Sequence, residues 1–181
     1  MTRSTIKKRR QKGRGTHWFD YIPLFVLVSV ALVAALAKQF AYLHPFDSSD
    51  WMLDFMGIFF VSFAMLKLFD LEGFVDGFQM YDLIAKHFRG YGYAYPFIEL
   101  ALGLAYLAQW QLPVVFCVTI IVMVWGATGV FWALNQGLDL DCACMGSVLH
   151  VPLSIVALIE DVGMAAMALL MLLAALTIGV S

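Results

Sequence analysis

The residues of this chain best suited to chemistry are two cysteines one residue apart, Cys142 and Cys144. Two thiols at this spacing can form a disulfide, exchange electrons with another dithiol or bind a soft metal ion. They lie in a short polar gap between two long apolar stretches. Asp139 and Asp141 oppose the reactive thiolate form, whereas the N-terminus of a following helix favours it. The pattern therefore indicates three chemistries and does not choose among them.

A metal-binding interpretation adds two nearby side chains, Met145 and His150. Cysteine and methionine, with or without histidine, suit Cu(I) better than Mg²⁺ or Ca²⁺, so Cys142, Cys144 and Met145 are candidate ligands. A single Cys-x-Cys does not have the four-ligand spacing of a structural zinc site. Besides a redox role and a metal-binding role, a further interpretation is a structural membrane subunit in which the thiol pair is incidental. Cys117 is a separate case, expected to be a small packing residue in an apolar helix.

Composition places these residues in a membrane protein. Of 181 residues, 62% are hydrophobic and 13% are charged, and the mean hydropathy is +0.85. A soluble domain carries about 25% charged residues. The chain is long enough for one domain, and the lipid bilayer is its first expected partner.

Five apolar segments predict an all-α, polytopic membrane helix bundle. They run from 21 to 41, 51 to 71, 94 to 112, 113 to 134 and 151 to 180. Pro96, Pro113 and Pro152 are each expected near a helix start, where the missing N–H is harmless. The first contains the signal-peptide-like triplet Ala35-Leu36-Ala37, but its length fits a span of about 20 residues better than an h-region of about 7–15. We therefore expect an additional uncleaved transmembrane helix at 21–41. Three methionines at helical spacing in the last segment are expected to be packing residues: Met164, Met167 and Met171.

The basic residues predict the orientation. Seven of the eleven lysines and arginines lie in the first fourteen positions. A basic tail at 1–20 favours a cytoplasmic N-terminus and membrane anchoring over a nucleic-acid partner. With five spans, Cys142 and Cys144 face the cytoplasm, where a stable disulfide is disfavoured.

Charged residues near or within the apolar segments must avoid lipid. Lys67, Glu99, Glu160 and Asp161 are expected to point into the bundle, with Lys67 paired to Glu99 or Glu160. The charged connection 72–93 has apolar residues at helical spacing, with Asp82 and the other charged residues elsewhere on the helix. The apolar face comprises Phe74, Phe78, Tyr81, Ile84 or Ala85, and Phe88. The connection is expected to be one amphipathic helix, either in the membrane interface or packed on the bundle.

Several motifs together resemble a known family. They are Cys142-Ala-Cys-Met-Gly, Val151-Pro-Leu-Ser, Glu160-Asp-Val-Gly-Met-Ala-Ala-Met-Ala, Lys67-Leu-Phe-Asp, Tyr81-Asp-Leu and Tyr95-Pro-Phe-Ile-Glu-Leu. The pattern is similar to that of the MauE-type membrane proteins of the wider DoxX-like group. The resemblance runs from about 51 to 177 and implies a four-helix core domain at 51–180. The tail and the first helix lie outside it.

The resemblance implies a redox role. The MauE family is implicated in maturation of the disulfide-rich small subunit of methylamine dehydrogenase. By resemblance, Cys142 and Cys144 form the redox pair of an accessory protein in a bacterial inner membrane. A thioredoxin- or glutaredoxin-like partner and a disulfide-rich client are then expected. The chain lacks the second cysteine pair that a quinone-linked disulfide relay needs, so the expected chemistry is thiol–disulfide exchange. Cu(I) binding by the same cysteines remains the alternative.

Overall fold

The computed structural model describes residues 22–41, 46–135 and 153–178, and this part of the chain is helical with no strand. Its helices are α1 (Ile22–Ala41), α2 (Ser48–Phe69), α3 (Leu71–Tyr81), α4 (Arg89–Leu107), α5 (Leu112–Asn135) and α6 (Leu153–Ile178). Four of them are long and apolar enough to cross a membrane: α1, α2, α5 and α6. The all-α, membrane-spanning prediction is therefore confirmed. The predicted basic tail at 1–20 lies outside the described residues.

The helix α4 is shorter and less apolar than α2, but it lies antiparallel to α2 along its length. At one end Gln109 Nε2 donates a hydrogen bond to Asp50 Oδ1 at 3.1 Å, and near the other Lys67 contacts Glu99. Between them, a Cβ on Gly103 would lie only 3.0 Å from the carbonyl oxygen of Gly57. Glycine therefore allows the two backbones to approach closely, as small residues do in membrane bundles.

The helix α1 packs on the outside of α2. Lys38 Nζ of α1 lies 2.5 Å from Asp54 Oδ1 of α2, and the Asp54 side chain is buried while that of Lys38 is partly exposed. Most of the apolar surface of α1 remains exposed. An ion pair near one end thus joins this helix to the core.

Helix ends differ from the predicted bounds for local reasons. Asp47 caps α2, because its Oδ1 accepts from the backbone N–H of Ser49 at 2.7 Å and the helix begins at Ser48. The start of α4 lies at Arg89 rather than near 94, so Pro96 lies inside the helix and not at its start. Proline there cannot donate to the Gly92 carbonyl four residues earlier, and such a position kinks a helix.

The connection between α2 and α4 is not the single amphipathic helix that the periodicity predicts. The prediction is correct for α3, because Phe74 and Phe78 on its apolar face are buried. The helix then ends, and Asp82 begins a new turn by accepting from the backbone N–H of Ala85 at 2.7 Å. Beyond that turn Phe88 is exposed, although the pattern placed it on the apolar face.

The core between the helices is rich in aromatic rings. Phe59 and Phe63 of α2 stack with centroids 4.4 Å apart, and Tyr106 of α4 donates to Thr119 Oγ1 of α5 at 2.9 Å. The three methionines of α6 pack against this core as predicted. Cys117 does not: it is exposed on the outer face of α5, so the packing role predicted for it is wrong.

Candidate functional site

The predicted thiol and metal-binding residues lie in 136–152, outside the described residues. These are Cys142, Cys144, Met145 and His150. The flanking helices are described: α5 ends at Asn135 and α6 begins at Leu153. The two helices are antiparallel partners that contact each other along their length. The cysteine-bearing segment therefore joins two helix ends at one end of the bundle, where α3 also lies; we call this the α3 end.

A buried ion pair lies toward the α3 end of the bundle. Lys67 of α2 donates to both carboxylate oxygens of Glu99 of α4, and both side chains are almost fully buried. The Lys67 ammonium lies 5.7 Å from the ring centroid of Phe74 and 5.1 Å from that of Tyr95, within cation–π range. The predicted pairing of Lys67 with Glu99 is confirmed. Rings from α3 and α4 enclose the pair.

Two more carboxylates approach this pair from α6. Glu160 and Asp161 each interact electrostatically with Lys67 and Glu99. The Oε2 atom of Glu160 is buried and has no hydrogen-bond partner among the described residues. The Asp161 carboxylate fills the space beside Gly126 of α5, where a Cβ would lie 2.9 Å from Oδ2. One amine therefore faces three carboxylates, of which Glu99 is almost fully buried and the two on α6 are partly buried.

A groove between α5 and α6 reaches Asp161. Its volume is about 1080 Å³, and its walls are almost entirely apolar side chains of these two helices. Thr128 and Asn135 add polar groups to the wall, and Leu83, from the connection between α3 and α4, lines the groove as well. This size and apolar character suit a small lipophilic molecule. The groove thus connects an interior carboxylate to the lipid-facing surface.

Asp82 is a buried acid that sequence reasoning placed on a polar surface. It is 1% exposed. Its Oδ1 accepts from the backbone N–H groups of Ile84 and Ala85, while Oδ2 has no hydrogen-bond partner among the residues that the structure describes. Burial raises the pKa of the Asp82 carboxyl, and the two backbone donors act in the opposite direction. The available signal was local: aspartate is a preferred residue for capping the first turn of a new helical segment.

No group of three or more histidine, cysteine, aspartate or glutamate side chains is arranged to hold a metal ion within the described ranges. The carboxylates of Glu99, Glu160 and Asp161 share one interior region but do not form a cation-binding cage. The Cu(I) prediction concerns residues outside those ranges, so it stays a prediction.

The helices and their buried charges define a class of protein. An all-helical bundle with four membrane-length apolar helices, and with interior charges directed at one another, is a multi-pass membrane protein.

The sequence model of the family described as methylamine utilisation protein MauE matches residues 47–174, and the chain belongs to this family. The match begins at the capping residue of α2 and leaves α1 outside. No curated protein and no solved structure matches the chain.

Proposed function

We propose that this protein is a redox-associated accessory protein of the MauE type, acting by thiol–disulfide exchange through Cys142 and Cys144. The observation that carries the proposal is the family match over 47–174, which includes the Cys-x-Cys segment. Maturation of a disulfide-rich client, such as a methylamine dehydrogenase subunit, is the corresponding biological role. The exchange partner would be a thioredoxin- or glutaredoxin-like protein.

The exchange needs both thiols. One thiolate of the pair attacks a sulfur of the partner's disulfide and forms a mixed disulfide, releasing the partner's second sulfur as a thiolate. The other thiol of the pair, as thiolate, then displaces the attacked sulfur. The partner leaves as a dithiol, and Cys142 and Cys144 become a disulfide. Run in reverse, the same steps oxidise the partner.

The described helices support a reactive pair at the membrane surface. The helix α5 ends at Asn135 and α6 begins at Leu153, both at the α3 end of the bundle. We therefore propose that the connection between them lies at the membrane surface. A soluble dithiol protein could reach a thiol pair in such a connection. We further propose a bacterial inner membrane location with a cytoplasmic N-terminus, as the basic tail favours.

Cysteine substitution tests the exchange. We expect Cys142→Ser or Cys144→Ser to trap a mixed disulfide with the partner, seen as a gel shift that reductant removes. The double variant should form no adduct and lose client maturation. Cys117→Ser is the matched control, since this exposed thiol lies on the apolar face of α5. Full client maturation in the double serine variant, with no adduct from either single variant, would contradict the proposal.

Labelling tests the compartment. A membrane-impermeant maleimide applied to intact cells should miss Cys142 and Cys144 and label them only after lysis, if the pair faces the cytoplasm. Labelling of intact cells would reverse the orientation. A variant with Cys117→Ser removes the background of the third cysteine.

A second candidate function uses the same residues as ligands. Cys142, Cys144 and Met145 together form a soft donor set for Cu(I), favoured by the adjacent methionine. Purified protein should then bind Cu(I) about one to one, and the double serine variant should bind none. Equal Cu(I) binding by both proteins in a chelator competition would exclude this function.

A further inference from the structure

We propose that Glu160 and Asp161 of α6 form a proton-binding site in the interior of the bundle, which exchanges protons with the α3 end. Nothing in the thiol chemistry requires this site. The inference depends on the placement of the interior charges, on one carboxylate oxygen without a partner and on the groove that reaches Asp161.

The charges are unbalanced among the described residues at this end of the bundle. Lys67 supplies one positive charge, and both oxygens of Glu99 already accept from its ammonium group. Glu160 and Asp161 add two further carboxylates in the same region. The described helix α5, which packs against α6, contains no charged residue. Carboxylates without a counter-ion are strongly unfavourable in an apolar interior.

The unpartnered oxygen of Glu160 indicates what is bound. Its Oε2 is buried and makes no hydrogen bond within the described ranges. A proton on this carboxyl group would remove the uncompensated charge and would turn an acceptor-only group into a donor. A metal ion would need several ligands, and the described residues contain no set of three arranged for one. The ligand that fits is therefore a proton.

Titratable groups connect the site to the α3 end. Tyr91, half-buried in the first turn of α4, interacts electrostatically with Asp82, Glu99 and Asp161. Asp161 interacts in turn with Asp82, which lies in the connection between α3 and α4. These electrostatically coupled groups extend from α6 to the connection between α3 and α4, so the α3 end is the side from which we expect protons to reach the site. The facing charged groups of α2 and α4 are Lys67 and Glu99.

The groove makes the site testable with a lipophilic reagent. Dicyclohexylcarbodiimide adds to a protonated carboxyl group and rearranges to an N-acylurea, so the whole reagent is retained and nothing leaves. It dissolves in the bilayer and can enter the apolar groove that Asp161 lines. Full-length protein in liposomes would be treated, digested and mapped by mass spectrometry. We expect an adduct on Glu160 or Asp161, with a yield that falls several-fold as the pH is raised.

Matched controls separate this site from surface acids. Glu72 is an exposed carboxylate at the start of α3, and a cationic, water-soluble carbodiimide should label it without labelling α6. Glu160→Gln and Asp161→Asn should each remove the adduct from the substituted position. The mapping of the wild-type protein decides the question even if a variant folds poorly.

Two results would overturn the proposal. Adducts confined to exposed carboxylates, or no adduct at all, would show that neither α6 carboxyl binds a proton. An adduct on α6 whose yield does not change with pH would show a permanently held proton and no exchange.

Discussion

Similar residues lie where α2 meets α4 and where α5 meets α6, but they have different roles in the two helix pairs. Both pairs are antiparallel, and each has a glycine and an acid where the helices meet. On α4, Gly103 admits the backbone of α2, and Glu99 is fully paired. On α5, Gly126 instead makes room for the Asp161 carboxylate, and the neighbouring Glu160 has one oxygen with no hydrogen-bond partner in the described part of the chain. We infer that the contacts of α2 with α4 hold the fold together, whereas the contact of α5 with α6 leaves room for carboxyl groups of α6 that can change their protonation state.

Breaking the buried ion pair should produce the largest effect. Lys67→Met leaves Glu99 as an uncompensated buried charge, which lowers the free energy of unfolding by about 3–5 kcal/mol. The double variant Lys67→Met, Glu99→Leu should lose less than either single variant, because no charge is stranded. Titration with sodium dodecyl sulfate, followed by circular dichroism, measures both. Losses that simply add in the double variant would show that the two residues are not coupled.

Filling the close contact between α2 and α4 should have the next largest effect. The Cβ of Gly103→Ala would meet the Val61 backbone nitrogen at 2.9 Å, and backbone cannot move aside as a flexible side chain can. We expect a loss of about 1–3 kcal/mol in the free energy of unfolding.

Gly163→Ala on α6 is the control for that substitution. A Cβ there has no neighbour within 4 Å among the described residues, so the stability should stay at the wild-type value or rise by up to about 1 kcal/mol, because alanine favours a helix more than glycine does. Equal losses in the Gly103 and Gly163 variants would mean that a general helix effect, and not the contact with α2, is being measured.

Replacing Glu99 of α4 or Glu160 of α6 by glutamine should have different effects on stability. Glu99→Gln removes the partner of Lys67 and should destabilise strongly. Glu160→Gln replaces a carboxyl group that has no bonded cation among the described residues, so its effect should be near zero or a gain of up to about 1 kcal/mol. Thermal unfolding of the two variants in one detergent provides the comparison. A Glu160 variant as unstable as the Glu99 variant would show that Glu160 has a counter-ion of its own.

The smallest expected effect is the pH dependence due to Asp82. Its pKa is raised in the folded protein, so its favourable contribution is complete below the unfolded value of about 3.9 and is lost as the pH rises through the folded pKa. Asp82→Asn keeps an oxygen that can accept from Ile84 and Ala85 and should remove this dependence. The difference in melting temperature between wild type and variant, measured from acid to neutral pH, should change accordingly. A constant difference would contradict the raised pKa.

The pairing of Lys67 was predictable because lipid leaves a buried charge few partners. Lys67 and the acidic residues are among the few charges in long apolar segments. Because a charge that faces lipid is costly, each was expected to point into the bundle and to pair with an opposite charge. The same reasoning predicted that Glu160 and Asp161 turn toward the bundle, and in the structure both side chains are partly buried. It could not say which acid Lys67 takes, since that depends on how α4 and α6 are rotated about their axes.

The connection between α2 and α4 shows where sequence patterns fail. Periodicity treats a polar residue as a surface residue, but Asp82 is buried because its carboxylate satisfies backbone N–H groups of a turn. That cap ends the apolar stripe and leaves Phe88 exposed. Pro96 was expected at a helix start, yet α4 begins seven residues earlier, at Arg89. The roles of Cys142 and Cys144 stay predictions.

The position of α1 has a consequence for sidedness through simple parity. Since α4 follows α2 from Asp50 to Lys67, we expect α1, α2, α4, α5 and α6 each to traverse the bilayer, an odd number of passages. With these five passages, the α3 end faces the same compartment as the residues that precede α1. The core matched by the family begins at residue 47, so α1 contributes one passage that lies outside it. If the start of the chain stayed in the same compartment, a chain without α1 would present the α3 end to the opposite one. We therefore propose that this peripheral helix, joined to the core by the ion pair of Lys38 with Asp54, determines which compartment the α3 end faces.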